Sequence, residues 1–238
     1  MTYTLYASPD SFNVVPEMVL AELQVDYKRH ELNRATGEQR SASYKNLNPQ
    51  GLIPTLTDGD LTLFETAAIC VHLAEQWGSL LPAQGTPERS HVFKWLFFLS
   101  NTLHADLRIF WYTDKYSKDP DSHPAIRDAI KERVLKHLTL IEKQLERNAA
   151  SPQAYLACQH LTIADFYLAH CLRTACVYPL DAPMFNNYLT RPILHKWLEA
   201  MQERASVQTA YHKNGVTKTP LTAPQKPDAI NDPNQLVG

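Results

Sequence analysis

Asn48-Pro49-Gln50-Gly51-Leu52-Ile53-Pro54-Thr55-Leu56, with Leu63-Phe64-Glu65-Thr66-Ala67-Ala68-Ile69 close behind it, is the stretch on which the fold of this chain turns. Asn-Pro-Gln-Gly is a turn signal, because Asn and Gly tolerate backbone angles that other residues avoid and proline presets its own. Residues 53–56 and 61–64 are short apolar runs on either side of Asp58-Gly59, the pattern of a β-hairpin. From Glu65 the apolar spacing becomes helical through Ile69, Val71, Leu73 and Trp77, with His72 inside as a structural residue. Upstream, residues 2–7 are a β-rich run. Residues 12–23 are helical, with Val14, Val15, Met18, Val19 and Leu23 on one side. Ser11 is the expected N-cap, and Pro16 lies late enough in this helix to bend it. Residues 26–32 form a second strand, and a weak helix follows it. The order is β-α-β-α-β-β-α.

Downstream the pattern changes. Residues 78–87 carry two glycines and two prolines and read as a linker. One long helical stretch rich in aromatics covers 88–116. Ile126, Ile130, Val134, Leu138, Ile141 and Leu145 make a regular helical stripe. Thr162-Ile163-Ala164-Asp165 starts another helix in capping-box fashion, and Arg191-Pro192 a further one. The expected domains are an α/β domain over 1–80, an all-helical domain over 88–211 and a disordered tail over 212–238. Residues 1–80 hold five basic and ten acidic side chains, a net of −5, against +3 for the rest.

Composition removes whole classes of function. The 238 residues balance 23 basic against 25 acidic side chains, a net of −2, which gives nucleic acid nothing to bind. Seven glycines include no dinucleotide fingerprint and no phosphate loop. The histidines include no HExxH or paired ligand spacing, so neither a metal nor a resident cofactor is expected. Cys70, Cys158, Cys171 and Cys176 form no CxxC pair and read as packing residues in a reducing, cytoplasmic setting. The first ten residues lack a secretory pattern, and no apolar run approaches the roughly 18 residues of a membrane span.

An Ile-Pro before the third strand of a β-α-β-α-β-β-α unit looks like a thioredoxin fold. Followed by a helical domain, it resembles the glutathione transferase superfamily over about residues 2–205. The motifs are Leu5-Tyr6-Ala7-Ser8-Pro9-Asp10-Ser11, the two stretches quoted first, Leu103-His104 and Thr162-Ile163-Ala164-Asp165. The Ser-Pro start and Pro16 are similar to the serine-type, bacterial beta class. The resemblance implies that Pro54 is a cis-proline and that the Ile53 main chain pairs with the cysteinyl part of glutathione. It implies that Thr66 bonds the γ-glutamyl carboxylate and Glu65 the ammonium. Ser8 would donate a hydrogen bond to the glutathione thiolate, which then attacks a small electrophile or a peroxide; the serine stabilises the nucleophile without being one. Detoxifying activity, cytoplasmic location and a homodimer are implied with it.

Tyr6 is the rival of Ser8, since tyrosine-type relatives use a tyrosine near the end of the first strand. Ser11, His104 and Tyr112 are further candidates at the catalytic or co-substrate site, with Phe110, Trp111 and Tyr116 as neighbouring pocket aromatics. Three departures stand out. The cysteine of the beta class is Phe12 here, Asp10 brings a negative charge beside the thiolate position, and Leu52 replaces a polar contact to the glycine end of glutathione. Arg34, Arg40 and Lys45 are the cations that could hold that glycine carboxylate. The alternative function is a non-catalytic, transferase-like interaction or regulatory protein.

Overall fold

The computed structural model describes residues 3–149, 154–216 and 218–227. The chain forms two compact units. The first takes the described residues of 1–81, 202–220 and 225–238, and the second those of 82–201 and 221–224.

In the first unit, β1 (Tyr3–Ala7), β2 (Tyr27–Glu31), β3 (Thr55–Asp58) and β4 (Leu61–Phe64) make one sheet in the order β2-β1-β3-β4. β1 runs parallel to β2 and antiparallel to β3, which turns antiparallel into β4. Between them lie α1 (Val14–Glu22) and α2 (Ala42–Lys45), and α3 (Thr66–Trp77) follows β4, so the expected α/β thioredoxin-like arrangement is present. Tyr3, Leu5 and Ala7 alternate inward and are buried with Val15, Met18, Val19, Ile69 and Leu73.

Three sequence expectations change at α1. The helix begins at Val14 and not at 12, and the residue at its N-cap is Asn13 and not Ser11. Ser11 stands in the preceding turn, where its C=O accepts the Val14 N–H at 3.0 Å. Pro16 therefore falls in the first turn, where a helix makes no use of the N–H that proline lacks. α1 is also buried from Val14 to Leu20, Glu17 included, instead of on one side. The cause is α10 (Ala205–Lys213), which packs on α1 through its own buried Val207, Ala210 and Tyr211.

The helical domain drawn over 88–211 thus gives up its last helix to the first unit. Within the expected tail over 212–238, Asn214, Val216, Pro220, Leu221 and Pro227 are buried, while 217 and 228–238 lie outside the described residues. Apolar spacing is too sparse there for sequence to find this; the covered residues are two prolines, an asparagine and two isolated aliphatic side chains.

The second unit is helical, as expected: α4 (Pro87–Phe98), α5 (His104–Trp111), α6 (Thr113–Tyr116), α7 (His123–Arg147), α8 (Ile163–Val177) and α9 (Pro192–Gln202). The stretch expected as one long helix over 88–116 is broken by a π turn at Leu99–Leu103 and by Tyr112. α8 is buried along its whole length, as its apolar sequence requires. Its first turn is fixed by Asp165, whose carboxylate accepts the Thr162 N–H and hydroxyl, both at 2.9 Å, and the Leu156 N–H at 2.8 Å.

Candidate functional site

The sheet register assembles the first-unit candidates. Tyr6 pairs with Thr55 across β1 and β3, and Thr55 with Phe64 across β3 and β4. Ser8, Ile53-Pro54 and Glu65-Thr66 therefore share one end of the sheet.

Each of the three is held by its own local device. The Ile53–Pro54 bond is cis, as expected. The loop before it is clamped at the Leu52 C=O, which accepts from the Tyr44 hydroxyl at 2.6 Å and Asn48 Nδ2 at 2.8 Å. Burial pushes the Tyr44 phenol up to about 12, so it acts as a neutral donor. Gly51 has φ +64°, and a Cβ there would stand 2.8 Å from the Gln39 carbonyl oxygen, so no other residue fits. The Lys45 Cε lies 3.7 Å from the place a Gly51 Cβ would take.

Glu65 precedes α3 with φ 72°, a region costly for a side chain with a Cβ, and it stays exposed while Thr66 is buried. Gln50 Nε2 donates to the Glu65 carboxylate at 3.3 Å. The first N–H groups of α3 have no partner within the helix, so this end favours an anion.

Ser8 is buried at the mouth of a four-residue turn. The Ser11 N–H donates to the Ser8 C=O at 3.2 Å, with Pro9 second and Asp10 third at φ 51°, the type II pattern. The Ser8 N–H donates to Asn13 Oδ1 at 3.0 Å. Asn13 Nδ2 donates in turn to Glu17 Oε2 at 3.0 Å and to Asn214 Oδ1 at 3.2 Å. Glu17 is fully buried and also accepts from the Tyr27 hydroxyl at 3.1 Å and Arg29 Nε at 2.9 Å. Burial and the adjoining Glu17 carboxylate raise the Tyr27 phenol; burial pulls Arg29 down, but Glu17 and Glu31 outweigh it and its net shift is upward. Sequence reading missed Asn13, Glu17, Arg29 and Asn214. One signal was available: a glutamate inside an otherwise apolar helix asks for buried donors.

Tyr6 lies on the other face of β1 from Leu5 and Ala7. Its ring packs against His30 at 4.8 Å and Tyr44 at 5.7 Å between centroids. Phe12 is buried. His104 and Tyr112 belong to the second unit. His104 Nδ1 bonds the Tyr167 hydroxyl at 2.9 Å, and burial, then Arg108 and His170, hold its pKa well below the usual range, so the imidazole is neutral. Tyr112 has the Lys115 ammonium 4.3 Å and the Arg108 guanidinium 5.5 Å from its ring centre. Phe110 is buried and Tyr116 is exposed. The four cysteines are buried and free, with thiols raised by burial. Among the described residues no three His, Cys, Asp or Glu side chains cluster as metal ligands, and no helix is long and apolar enough to cross a membrane.

A thioredoxin-like unit with a cis-proline, a Glu-Thr helix start and a buried serine at one sheet end, in a chain that also builds a helical unit, is the arrangement of a two-domain protein of the glutathione transferase type. The comparisons make it specific: residues 1–75 match the glutathione S-transferase N-terminal domain and 102–214 its C-terminal domain. The chain is 31% identical to glutathione S-transferase 3 of Zea mays over 232 residues, covering 94% of this chain and 98% of that one. It belongs to the glutathione transferase superfamily. Its backbone is similar to a glutathione transferase homologue of Lodderomyces elongisporus solved with two glutathione molecules per subunit, at a TM-score of 0.78, 22% identity and coverage of 90% and 99%. It is also similar to the beta class transferase of Sphingomonas chungbukensis, at 0.75, 24% identity and coverage of 90% and 100%.

Proposed function

We propose that the chain is a glutathione transferase whose first unit binds glutathione and whose Ser8 hydroxyl donates to the bound thiol, holding it as thiolate for attack on a small electrophile. One observation carries this reading: the shared sheet end of Ser8, cis Ile53-Pro54 and Glu65-Thr66, set by the β1-β3-β4 register. Thr66 and the open N–H groups of α3 suit the γ-glutamyl carboxylate, and the exposed Glu65, oriented by Gln50, suits its ammonium. The Ile53 main chain would pair with the cysteinyl part as an added strand does. Of Arg34, Arg40 and Lys45, the last is favoured for the glycine carboxylate because its Cε comes close to Gly51, in the loop that leads to Ile53. Tyr6 is ranked below Ser8, since its ring is committed to packing. His104, neutral and bonded to Tyr167, and Tyr112, flanked by cations, are co-substrate candidates.

A homodimer is part of this reading, supported by Phe97, which is 57% exposed and stacked on Phe93 along α4. Four free thiols suit a reducing cytoplasm. Titration of the protein with glutathione across pH, followed by thiolate absorbance, tests the activity. A saturable signal ionising well below the free thiol's pKa of roughly 8.5 supports it. Saturable binding with an unshifted thiol would instead favour a glutathione-binding protein that does not catalyse, as Asp10 beside Ser8 would allow.

A further inference from the structure

A carboxylate buried in an apolar helix needs several donors, because leaving it without them costs more than the helix gains by covering it. Glu17 has four: Asn13 Nδ2, the Tyr27 hydroxyl, Arg29 Nε and Asn214 Nδ2. Three come from the surrounding β-α-β segment. The fourth comes from the turn after α10, 197 residues away in the chain.

Asn214 does more than satisfy Glu17. Its carboxamide oxygen accepts the Asp10 N–H at 3.2 Å, Asn13 Nδ2 at 3.2 Å and Arg29 Nη2 at 3.3 Å. Asn214 is itself fixed: it is buried, it donates to the Ala210 C=O at 2.8 Å, and Gly215 follows with φ +76°. One side chain thus grips the turn that carries Ser8 at two points. It takes the amide of Asp10, whose left-handed backbone is intrinsically unfavourable for a residue with a Cβ. It also takes Asn13, which holds the Ser8 amide.

We propose that Asn214 is a positioning residue for thiol activation: from the C-terminal segment it braces the 8–13 turn, so that the Ser8 hydroxyl is held where it donates to the glutathione thiolate. This rests on the reading of Ser8 given above. Asn214 touches no reacting atom; it acts through Asp10 and Asn13. A hydroxyl held within a few tenths of an ångström stabilises a developing thiolate far better than one on a loose turn, because no reorganisation is needed at the moment of reaction.

The test uses the full chain with Asn214→Ala, Ser8→Ala, the pair of them together, and the exchange Glu17→Gln with Asn214→Asp. Conjugation kinetics and the pH titration of bound glutathione are read on each. Asn214→Ala should lower kcat/KM by about tenfold and raise the bound thiol pKa by about one unit, with the glutathione Kd moving less than about threefold. In the Ser8→Ala background it should add no further loss, because the group it positions is gone. The exchange turns an amide NH2 towards the donors that face position 17 and sets a carboxylate against the Ala210 C=O, so it should leave the thiol shift lost, as Asn214→Ala does. Equal losses in both backgrounds, or a weaker Kd with an unmoved thiol pKa, would overturn the positioning role while leaving Ser8 intact. A bound thiol that ionises alike in wild type and Ser8→Ala would overturn the Ser8 reading, and this proposal with it. If Asn214→Ala does not fold, Asn214→Ser is put through the same comparison.

Discussion

The Asn13 carboxamide oxygen reaches back five residues to accept the Ser8 amide proton at 3.0 Å. That bond commits the Ser8 main-chain N–H, so whatever Ser8 offers a bound thiol comes from its hydroxyl. Ser8→Ala should therefore remove the donor entirely. We expect kcat/KM for conjugation to fall by about a hundredfold, with much less change in glutathione Kd. Tyr6→Phe should change kcat/KM by less than about threefold. A larger loss from Tyr6→Phe reverses the assignment.

Thr66 is the buried hydroxyl at the start of α3, and Glu65 stands outside it. Thr66→Ala should weaken glutathione binding by ~1–3 kcal/mol, the worth of a hydrogen bond to a charged group, and leave the pKa of the bound thiol where it was. Calorimetric titration reads the first and thiolate absorbance the second. An unchanged Kd removes Thr66 from the site.

Asp10 is buried two residues from Ser8 in a left-handed conformation. Asparagine tolerates that backbone at least as well and removes the negative charge. Asp10→Asn should lower the pKa of the bound glutathione thiol by about half a unit to one unit, since a like charge nearby disfavours the thiolate. A thiol pKa that rises in this variant would mean that the carboxylate supports the turn more than it opposes the ionised sulfur.

Gly51 joins a positive φ to a position where a Cβ meets a main-chain oxygen. Gly51→Ala has no flexible side chain to displace, so it should cost more than ~2 kcal/mol and loosen the loop ahead of Pro54. Urea unfolding measures the loss. A stability within ~0.5 kcal/mol of wild type would mean that the 39–51 segment yields more easily than its packing indicates.

Burial raises the Asp165 carboxyl to about 6, above its ordinary value of 3.8, even with three donors facing it. The folded state then holds this proton to higher pH than the unfolded state does. Its contribution is fully present below pH ~4 and declines as pH rises towards ~6, by about 3 kcal/mol at most. Asp165→Asn should flatten that part of the stability profile. It should also cost ~1–3 kcal/mol overall, because an amide NH2 would face the Thr162 donors. Denaturation at pH 4, 5 and 6 checks both; the same slope in the variant would assign the titration to another group.

Much of the fold was legible because it is written in local patterns. The strands around Asp58-Gly59, the helix after Glu65 and the stripe on α7 each announce themselves within one contiguous run of sequence. Of the candidate site, the contiguous pieces were legible as local structure: the cis bond of Ile53-Pro54 and the helix start at Glu65-Thr66. What escaped is what depends on distant partners. Ser11 suits an N-cap, but Asn13 occupies the cap position because its side chain serves Ser8, Glu17 and Asn214 together. α10 has a short apolar face, Val207, Ala210 and Tyr211, and nothing in its own sequence says that α1 is the surface it covers. The polar residues after it disguise a buried asparagine as part of a tail.

The bond from Asn214 to Glu17 also orders events in time. Synthesis delivers the strands, the cis-proline loop and the start of α3 within the first third of the chain, yet one of the donors to the carboxylate of α1 lies 197 residues beyond it. Closing a loop of that length costs about 5 kcal/mol of chain entropy, so the contact forms only when α10 can dock as a body. A nascent chain halted before residue 214 would carry every motif proposed here to bind glutathione and still have its Ser8 turn unbraced. In this architecture the earliest-made part of the protein is among the last to be finished.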